Sequence, residues 1–552
     1  MRGADRPVGR PRHRRPTGLA LAAGLVVALA AVPLVFVADA SLGLSLADWR
    51  ALWSGRLPRL LWNTLSLAVL VAAGSLALGV SAAWLVARRE FPGRALAVWL
   101  MVLPLAVPTY VFAYIYTRLL AHGGWLAGVW HWVFGDRPVP DLHNLGGAAL
   151  VLTLASFSYV FLLARAALMR SNRTIEEAAR IQGAAPPEVF RRVTMPLLRP
   201  AVAAGLAVVV LHVLSDFGAV SMLRVQTFTL SIYLQMSGRF DYQGAAGLSL
   251  VLVALSLIFL VTERVFRSRQ RYYAGDTQER RVEPRRARGL ELALIWAWLG
   301  LIVVLAFLLP LAWMATWTWK TGLANTAALR FWEYVGNSLA VAAAAATFAL
   351  AAGLPVAFYH ARHGSRASHA LIQLASVGFV LPGPVIALGV LTFVLDAAPL
   401  LYGGLSALVM ALVVRFLPLS VQSQDAALAQ LTPSVEEAGR VLGAGPAENL
   451  RRVVLPTIRG GLVSAWVLVF IDALKELPAT LLLRPPGFDT LPVRIWIEAS
   501  EEMLELAAPA SLALVAATLP ALWILMRSEA SAPTRAQRGA GVDAAEAALP
   551  PG

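Results

Sequence analysis

The sequence predicts an all-α integral membrane protein of about twelve transmembrane helices arranged as two homologous six-helix halves. Three observations carry that expectation: a composition too apolar for a water-soluble core, long apolar runs separated by short arginine-bearing loops, and one loop that occurs twice. Of 552 residues, 58% are hydrophobic and 14% charged, and the mean hydropathy is +0.67. A soluble chain of this length does not bury that much apolar surface. The net charge of +15 would suit nucleic acid, but the arginines are scattered over short loops and form no single basic face. No nucleic-acid partner is expected. The absence of cysteine excludes disulfides, thiolate nucleophiles and Cys-ligated zinc or iron–sulfur centres.

Apolar runs long enough to cross about 30 Å of hydrocarbon lie near residues 18–38, 61–87, 95–120, 146–168, 200–222 and 244–263. A second set lies near 290–316, 338–359, 369–395, 400–420, 461–483 and 506–526. Runs this long and continuously apolar suit helices, since barrel strands are shorter and alternate. The first run follows Arg2, Arg6, Arg10, Arg12, Arg14 and Arg15, and Ala38-Asp39-Ala40 looks like a signal-peptidase site. The run is long for a signal peptide, so a retained first helix is expected.

Counting forward, one side of the membrane receives Arg88, Arg89 and Arg94, the segment 170–199, Arg264 to Arg288, Arg362 and Arg366, the segment 440–459, and Arg527, Arg535 and Arg538. The alternate loops are poor in positive charge, which puts both termini in the cytoplasm. Tryptophans such as Trp125, Trp130, Trp132, Trp317 and Trp319 fall near the outer surface, as an interfacial belt would place them. His360, His363 and His369 share a short arginine-bearing loop without a neighbouring carboxylate in sequence and are read as solvated.

Comparison of the halves exposes a repeat. The segment from Glu176 reads EEAARIQGAAPPEVFRRVTMP, and the segment from Glu436 reads EEAGRVLGAGPAENLRRVVLP. Glu177 matches Glu437, Gly183 matches Gly443, Pro186 matches Pro446, and Pro196 matches Pro456. Glutamates in a first helical turn favour the dipole, and a glycine followed by a proline stops the helix. Each segment therefore forms a short surface helix suited to a groove in a cytoplasmic partner.

These segments resemble the EAA loop of bacterial ABC importer permeases. Glu177, Ala178, Ala179, Gly183, Val193 and Pro196 fill its places, and Glu437, Ala438, Gly443, Val453 and Pro456 repeat them, with Gly439 standing where the family has alanine. The resemblance extends from Asn63 to Arg264 and from Asn337 to Arg527: each stretch opens alike, NTLSLAVLVAAGSLALGV against NSLAVAAAAATFALAAGL, and each has Leu-Pro in its next helix, at Pro104 and Pro382.

The resemblance implies an ABC importer permease fold. Residues 1–60 would be a cytoplasmic arm and first helix, 61–264 the first permease domain, 265–289 a cytoplasmic linker, 290–336 the first helix of the second half with a periplasmic loop, 337–527 the second permease domain, and 528–552 a disordered cytoplasmic tail. It implies two copies of a cytoplasmic ATP-binding subunit, a periplasmic substrate-binding protein, a place in the bacterial inner membrane, and no cofactor or resident metal. The loop residues Glu177, Ala178, Ala179, Gly183, Pro196, Glu437, Ala438, Gly443 and Pro456 would couple to the ATPase. Neither lysine, Lys320 or Lys475, follows a glycine as a phosphate-binding loop requires.

Beyond the loop, SDFGAVSMLRVQTFTLSIY and KELPATLLLRPPGFDTLPVRIW match at Asp216 with Glu476, Arg224 with Arg484, and Phe228 with Phe488. They look like segments of fused ferric-iron permeases; the fused architecture also fits thiamine and other small-solute permeases. Asp216 and Glu476, ionisable groups in apolar helices, are candidates for the pathway or its gate, and Arg224 and Arg484 for docking the binding protein. His212, four residues before Asp216, is expected to hydrogen-bond it, and Lys475 to serve as charge partner of Glu476. A proton-coupled secondary transporter shares the six-plus-six architecture, but its basic loop has only a faint echo in ARREFPGR from Ala87. A membrane enzyme lacks any matching constellation.

Reporter fusions test the orientation. Fusions after Arg170, Arg271 and Arg538 should report cytoplasm and those near Asp136 and Arg239 periplasm; a periplasmic signal at Arg271 would break the repeat.

Overall fold

The structure, a computed structural model, describes residues 17–170, 176, 178–179, 181–268, 285–321, 329–379 and 381–530. Glu177 and most of the linker and tail lie outside them. Among the described residues, nine helices are long and apolar enough to cross a bilayer, or up to twelve if each of three sharply bent pairs is one span.

Several expected spans are broken, and the breaks have backbone causes. The run at 95–120 divides into Arg94–Val102, a 3-10 turn Leu103–Ala106, and Thr109–Leu120, bent by 95°. Pro108 precedes the second piece in an extended conformation (φ −64°, ψ 151°). In the other half Arg366–Gly378 and Gly383–Asp396 meet at 102°, and Pro382 has φ −60° and ψ 151°. Pro108, rather than Pro104, is thus the counterpart of Pro382. The runs at 200–222 and 461–483 are also shorter than expected. Their helices stop at Ser215 and Leu474, and short helices Gly218–Met222 and Pro478–Leu483 follow. Two helices too short to register as spans lie outside the repeat, Leu46–Gly55, started by a Ser45–Asp48 capping box, and Trp125–Phe134.

Among the described residues, three helices contain a single widened π turn: Phe190–Thr194, Val304–Leu308 and Leu450–Val454. Each ends two residues before a proline, Pro196, Pro310 or Pro456. A proline inside a helix clashes with the carbonyl four residues back and offers no N–H. Widening the preceding turn relieves the clash. The closing prolines of the two repeated loops are therefore geometry-setting residues.

The halves exchange their first helices. Thr17–Leu42 packs on Leu329–Arg362 and Gly383–Asp396 of the opposite half, with Phe36 edge-on to Phe393 at 5.4 Å. A Cβ on Gly389 would overlap the Pro33 backbone. Ala38-Asp39-Ala40 lies inside this helix, so cleavage there would remove a surface that the second half covers.

In return, Leu290–Lys320 packs on the first half: Trp296 meets Phe91 at 5.7 Å, Trp313 meets Tyr114 at 5.6 Å, and Trp298 Nε1 donates to Ser81 Oγ at 3.1 Å. The Tyr116 hydroxyl donates to the Leu305 carbonyl. In the π register the next donor to that carbonyl would be Pro310, which has no N–H, so a side chain of the other half satisfies it.

His360 is not simply solvated. Its Nδ1 lies 2.7 Å from Asp425 Oδ1, and its ring meets His369 edge-on at 4.9 Å. Asp425 is 65 residues on, beyond the reach of local sequence reading.

Alanine substitution separates propensity from packing. Gly389→Ala gains up to about 1 kcal/mol of helix propensity but forces a backbone overlap costing about 1–3 kcal/mol, so detergent-solubilised protein should melt lower. Gly300→Ala, with nothing within 4 Å of the added Cβ, should melt at or above the parent. Equal effects would contradict the close approach of the exchanged helix.

Candidate functional site

The repeated loops are fixed to the membrane helices by their first glutamates. Arg88 ends the Leu57–Arg88 helix, and its Nη2 lies 2.5 Å from Glu176 Oε1, which also accepts from Thr194 Oγ1 at 3.0 Å. In the second half Arg362 ends Leu329–Arg362 and its Nε donates to Glu436 Oε1 at 2.6 Å. Glu176 and Glu436 are buried, whereas Glu437 is exposed. The duplication of both partners, Arg88 with Arg362 and Glu176 with Glu436, was the available signal. Removing one member of a buried pair costs about 3–5 kcal/mol, because the other charge is left uncompensated.

Gly183 and Gly443 both have φ +89°. Ala184 N donates to Ala179 O and Ala444 N to Gly439 O, each at 3.1 Å, the six-to-one bond of a Schellman stop that a left-handed glycine permits. The Gly439 departure also has a cause. A Cβ there would overlap the Asn449 side chain, whose Nδ2 donates to the Glu436 carbonyl at 3.0 Å; the first half has Ala179 and Val189 at the two corresponding positions. Beyond the anchored side, Ile181 and Val441 are each 87% exposed and Leu442 is 88% exposed. Ala178 and Ala438 are exposed too, while Pro196 and Pro456 close their π turns.

Asp216 and Glu476 end the helices that rise from these loops and cap the short helices that follow. Asp216 Oδ1 accepts from the N–H groups of Ala219 (3.0 Å) and Val220 (3.2 Å), and Oδ2 accepts from Thr109 Oγ1 at 2.6 Å. Glu476 accepts from Ala479 N (2.9 Å), Thr480 N (3.0 Å) and Thr480 Oγ1 (2.9 Å). Its charge partner is Arg415, at 3.0 Å. Lys475 turns away, to Asp472 Oδ1 at 3.3 Å. A Cβ on Gly383 would overlap the Arg415 guanidinium, so glycine there leaves room for the pair; Thr109, in the corresponding place after Pro108, supplies a hydroxyl instead. His212 does not bond Asp216. Its ring sits beside Tyr159 at 5.9 Å.

At the end away from the loops the halves meet around a cavity of about 470 Å³, lined among others by Tyr114, Arg118, Arg224, Trp496, Glu502 and Glu505. Two ion pairs cross it, Arg118–Glu505 at 2.8 Å and Arg224–Glu502 at 3.6 Å. Arg224 and Glu502 both have positive φ, 55° and 62°, strained conformations for residues with a Cβ. Arg484 differs from Arg224. Only 24% of its side chain is exposed, against 76%, and it pairs with Asp489 in its own loop.

Behind these loops, Asn63 Nδ2 donates to Gln226 O and Asn337 Nδ2 to Asp489 O, both at 2.9 Å. The next residues, Thr227 and Thr490, cap equivalent helices. The second half thus carries three extra residues between Arg484 and its cap, so Phe228 corresponds to Leu491 and not to Phe488, and Tyr233 corresponds to Trp496, which it meets at 5.9 Å.

A two-half helical membrane protein with exchanged first helices and a duplicated, ion-paired loop defines a transport subunit. Residues 75–272 and 349–530 match the binding-protein-dependent transport system inner membrane component family, once in each half. The chain belongs to that family. It is therefore a multi-pass permease of the bacterial inner membrane, and neither an enzyme nor a proton-coupled secondary transporter. The Fe(3+)-transport system permease protein FbpB 2 of Haemophilus influenzae is 30% identical over 468 residues, 84% of this chain and 88% of that protein. The ferric transport system permease protein FbpB of Actinobacillus pleuropneumoniae is 25% identical, over 79% of this chain and 66% of that protein. The sulfate transport system permease protein CysT of Salmonella typhimurium is 29% identical, over 35% of this chain and 69% of that protein.

Proposed function

We propose that the chain is the fused translocation subunit of an ATP-driven importer of iron(III). Cargo arrives from a periplasmic binding protein, and two copies of a cytoplasmic ATP-binding subunit supply the energy. Both termini and both repeated loops face the cytoplasm. The carrying observation for the substrate is the likeness, over most of both chains, to a permease named for Fe(3+). The sulfate permease likeness is confined to about one half's length.

The coupling surface comprises the two loop helices. Exposed Ile181, Val441 and Leu442 form apolar contacts in a groove of each ATP-binding subunit, as an amphipathic helix does in a partner groove. Glu437 lies on the exposed side and pairs with that subunit; Glu177 has the same role in the other loop. Asp216 and Glu476 are gate posts: they hold the corner between each loop-borne helix and its short successor, and so fix the shape of the path without facing it. At the far end Arg224 docks an acidic residue of the binding protein, exchanging its Glu502 partner for it, while Arg484 shapes the docking loop.

Reconstituted complex should take up iron(III) on addition of ATP and binding protein, and neither thiamine nor sulfate. Gly183→Val with Gly443→Val places β-branched residues at φ +89°. That change should abolish co-purification of the ATP-binding subunit or uptake while membrane insertion persists. Normal assembly with normal uptake in the double variant would rule out these loops as coupling elements, and uptake of thiamine or sulfate in place of iron would overturn the substrate.

A further inference from the structure

Burial along the two loop-borne helices follows the same order in both halves. From Leu211 to Val220 every residue is buried except His212 and Ser215; from Ile471 to Thr480 every residue is buried except Asp472 and Lys475. His212 corresponds to Asp472 and Ser215 to Lys475, by the spacing that relates Asp216 to Glu476. One half therefore leaves an imidazole and a hydroxyl half-buried, the other a carboxylate and an ammonium. Ser215 is spent on its own helix, donating to Leu211 O at 2.8 Å. Lys475 crosses to the other half. Its Nζ donates to the Leu105 carbonyl at 3.1 Å, 370 positions away in the chain, and lies 3.3 Å from Asp472 Oδ1.

The Leu105 carbonyl is a made-to-order acceptor. It sits in the 3-10 turn before the 95° bend, and the residue three positions on, whose N–H would close that turn, is Pro108. A carbonyl without a donor inside a membrane bundle is costly, and an ammonium at membrane depth is costly unless paired. Each removes the other's cost. The contact lies at the seam of the two halves, beside the Pro108 bend and one residue before Glu476.

We propose that Lys475 is a tethered cation standing in the translocation path, and that the oxygen pair it occupies, the Leu105 carbonyl and the Asp472 carboxylate, is the station a translocated cation passes through when the ammonium swings away. This rests on the reading of the cargo as a hard cation, which oxygen donors suit. Two protein oxygens are too few to trap such an ion, as transit requires: a conducting site must bind enough to admit and weakly enough to release. While the ammonium is seated it excludes other cations by charge and latches the halves at mid-path.

The test uses the complete complex in proteoliposomes, with ATP-binding subunits and binding protein, and Fe(III)-loaded binding protein as the probe. Lys475→Met keeps length and removes charge; idle ATP hydrolysis without binding protein should rise at least about threefold as the latch is lost, and Lys475→Arg should restore the low idle rate. Asp472→Asn should cut iron uptake about tenfold with assembly unchanged. An idle rate in Lys475→Met equal to the parent's, or uptake in Asp472→Asn within about twofold of it, would overturn the proposal. If the parent complex moves sulfate and no iron, the cargo reading fails separately, and the station fails with it; the idle rate of Lys475→Met then decides the latch alone.

Discussion

Two buried ion pairs hold the arrangement to its task. Arg88–Glu176 and Arg362–Glu436 join the end of each half's first core helix to a loop that projects from the bundle. Without them the loop helices would be tethered only through their flanking chain, and a displacement of the loop would be absorbed by rotation about that chain. With them, each loop is fastened to the membrane helix that its arginine ends. A buried charge pair contributes little net stability over an apolar pair of the same volume; what it supplies here is direction, since the carboxylate is engaged by the arginine and, in the first half, by Thr194 as well.

Proline and the backbone groups it leaves unsatisfied organise the rest. In a bilayer every carbonyl needs a donor, so a helix break is tolerated only where something else provides one. Pro310 strands the Leu305 carbonyl and Tyr116 of the other half supplies a hydroxyl; Pro108 strands the Leu105 carbonyl and Lys475 of the other half supplies an ammonium. Each break becomes a contact between the halves. The corners at Asp216 and Glu476 follow a related rule, with carboxylates taking up the free N–H groups of short helices at the points where the long helices stop. Bends, corners and seam are thus consequences of the same obligation, and they touch: Asp216 accepts from Thr109 just after the first bend, and Lys475 donates to Leu105 just before it.

The spans and the doubled loop were legible because their signals are local: runs of apolar residues, arginine in alternate loops, and a fixed spacing from glutamate to glycine to proline. What escaped reading is long-range or depends on which side of a helix a residue faces. Adjacent glutamates look interchangeable in sequence, but Glu176 and Glu436 are the ones that meet arginines of the bundle, while Glu437 is exposed. Glu476 pairs with Arg415, 61 residues away, instead of with its neighbour Lys475, because a carboxylate that caps the following turn directs its side chain along the chain and not beside it. The partner of Lys475 is a backbone carbonyl, which carries no residue signature at all. The Phe228–Phe488 match failed for another reason: three extra residues precede the second cap, and only the paired asparagines Asn63 and Asn337 reveal the true register.

The most direct measurement is the ratio of iron taken up to ATP hydrolysed in the reconstituted complex carrying Glu176→Gln and Glu436→Gln together. These changes keep the size of both side chains and remove both charges. If the ion pairs transmit the motion of the loops to the membrane helices, ATP hydrolysis should persist while uptake per ATP falls about tenfold. A ratio equal to that of the parent complex, with assembly intact, would contradict it.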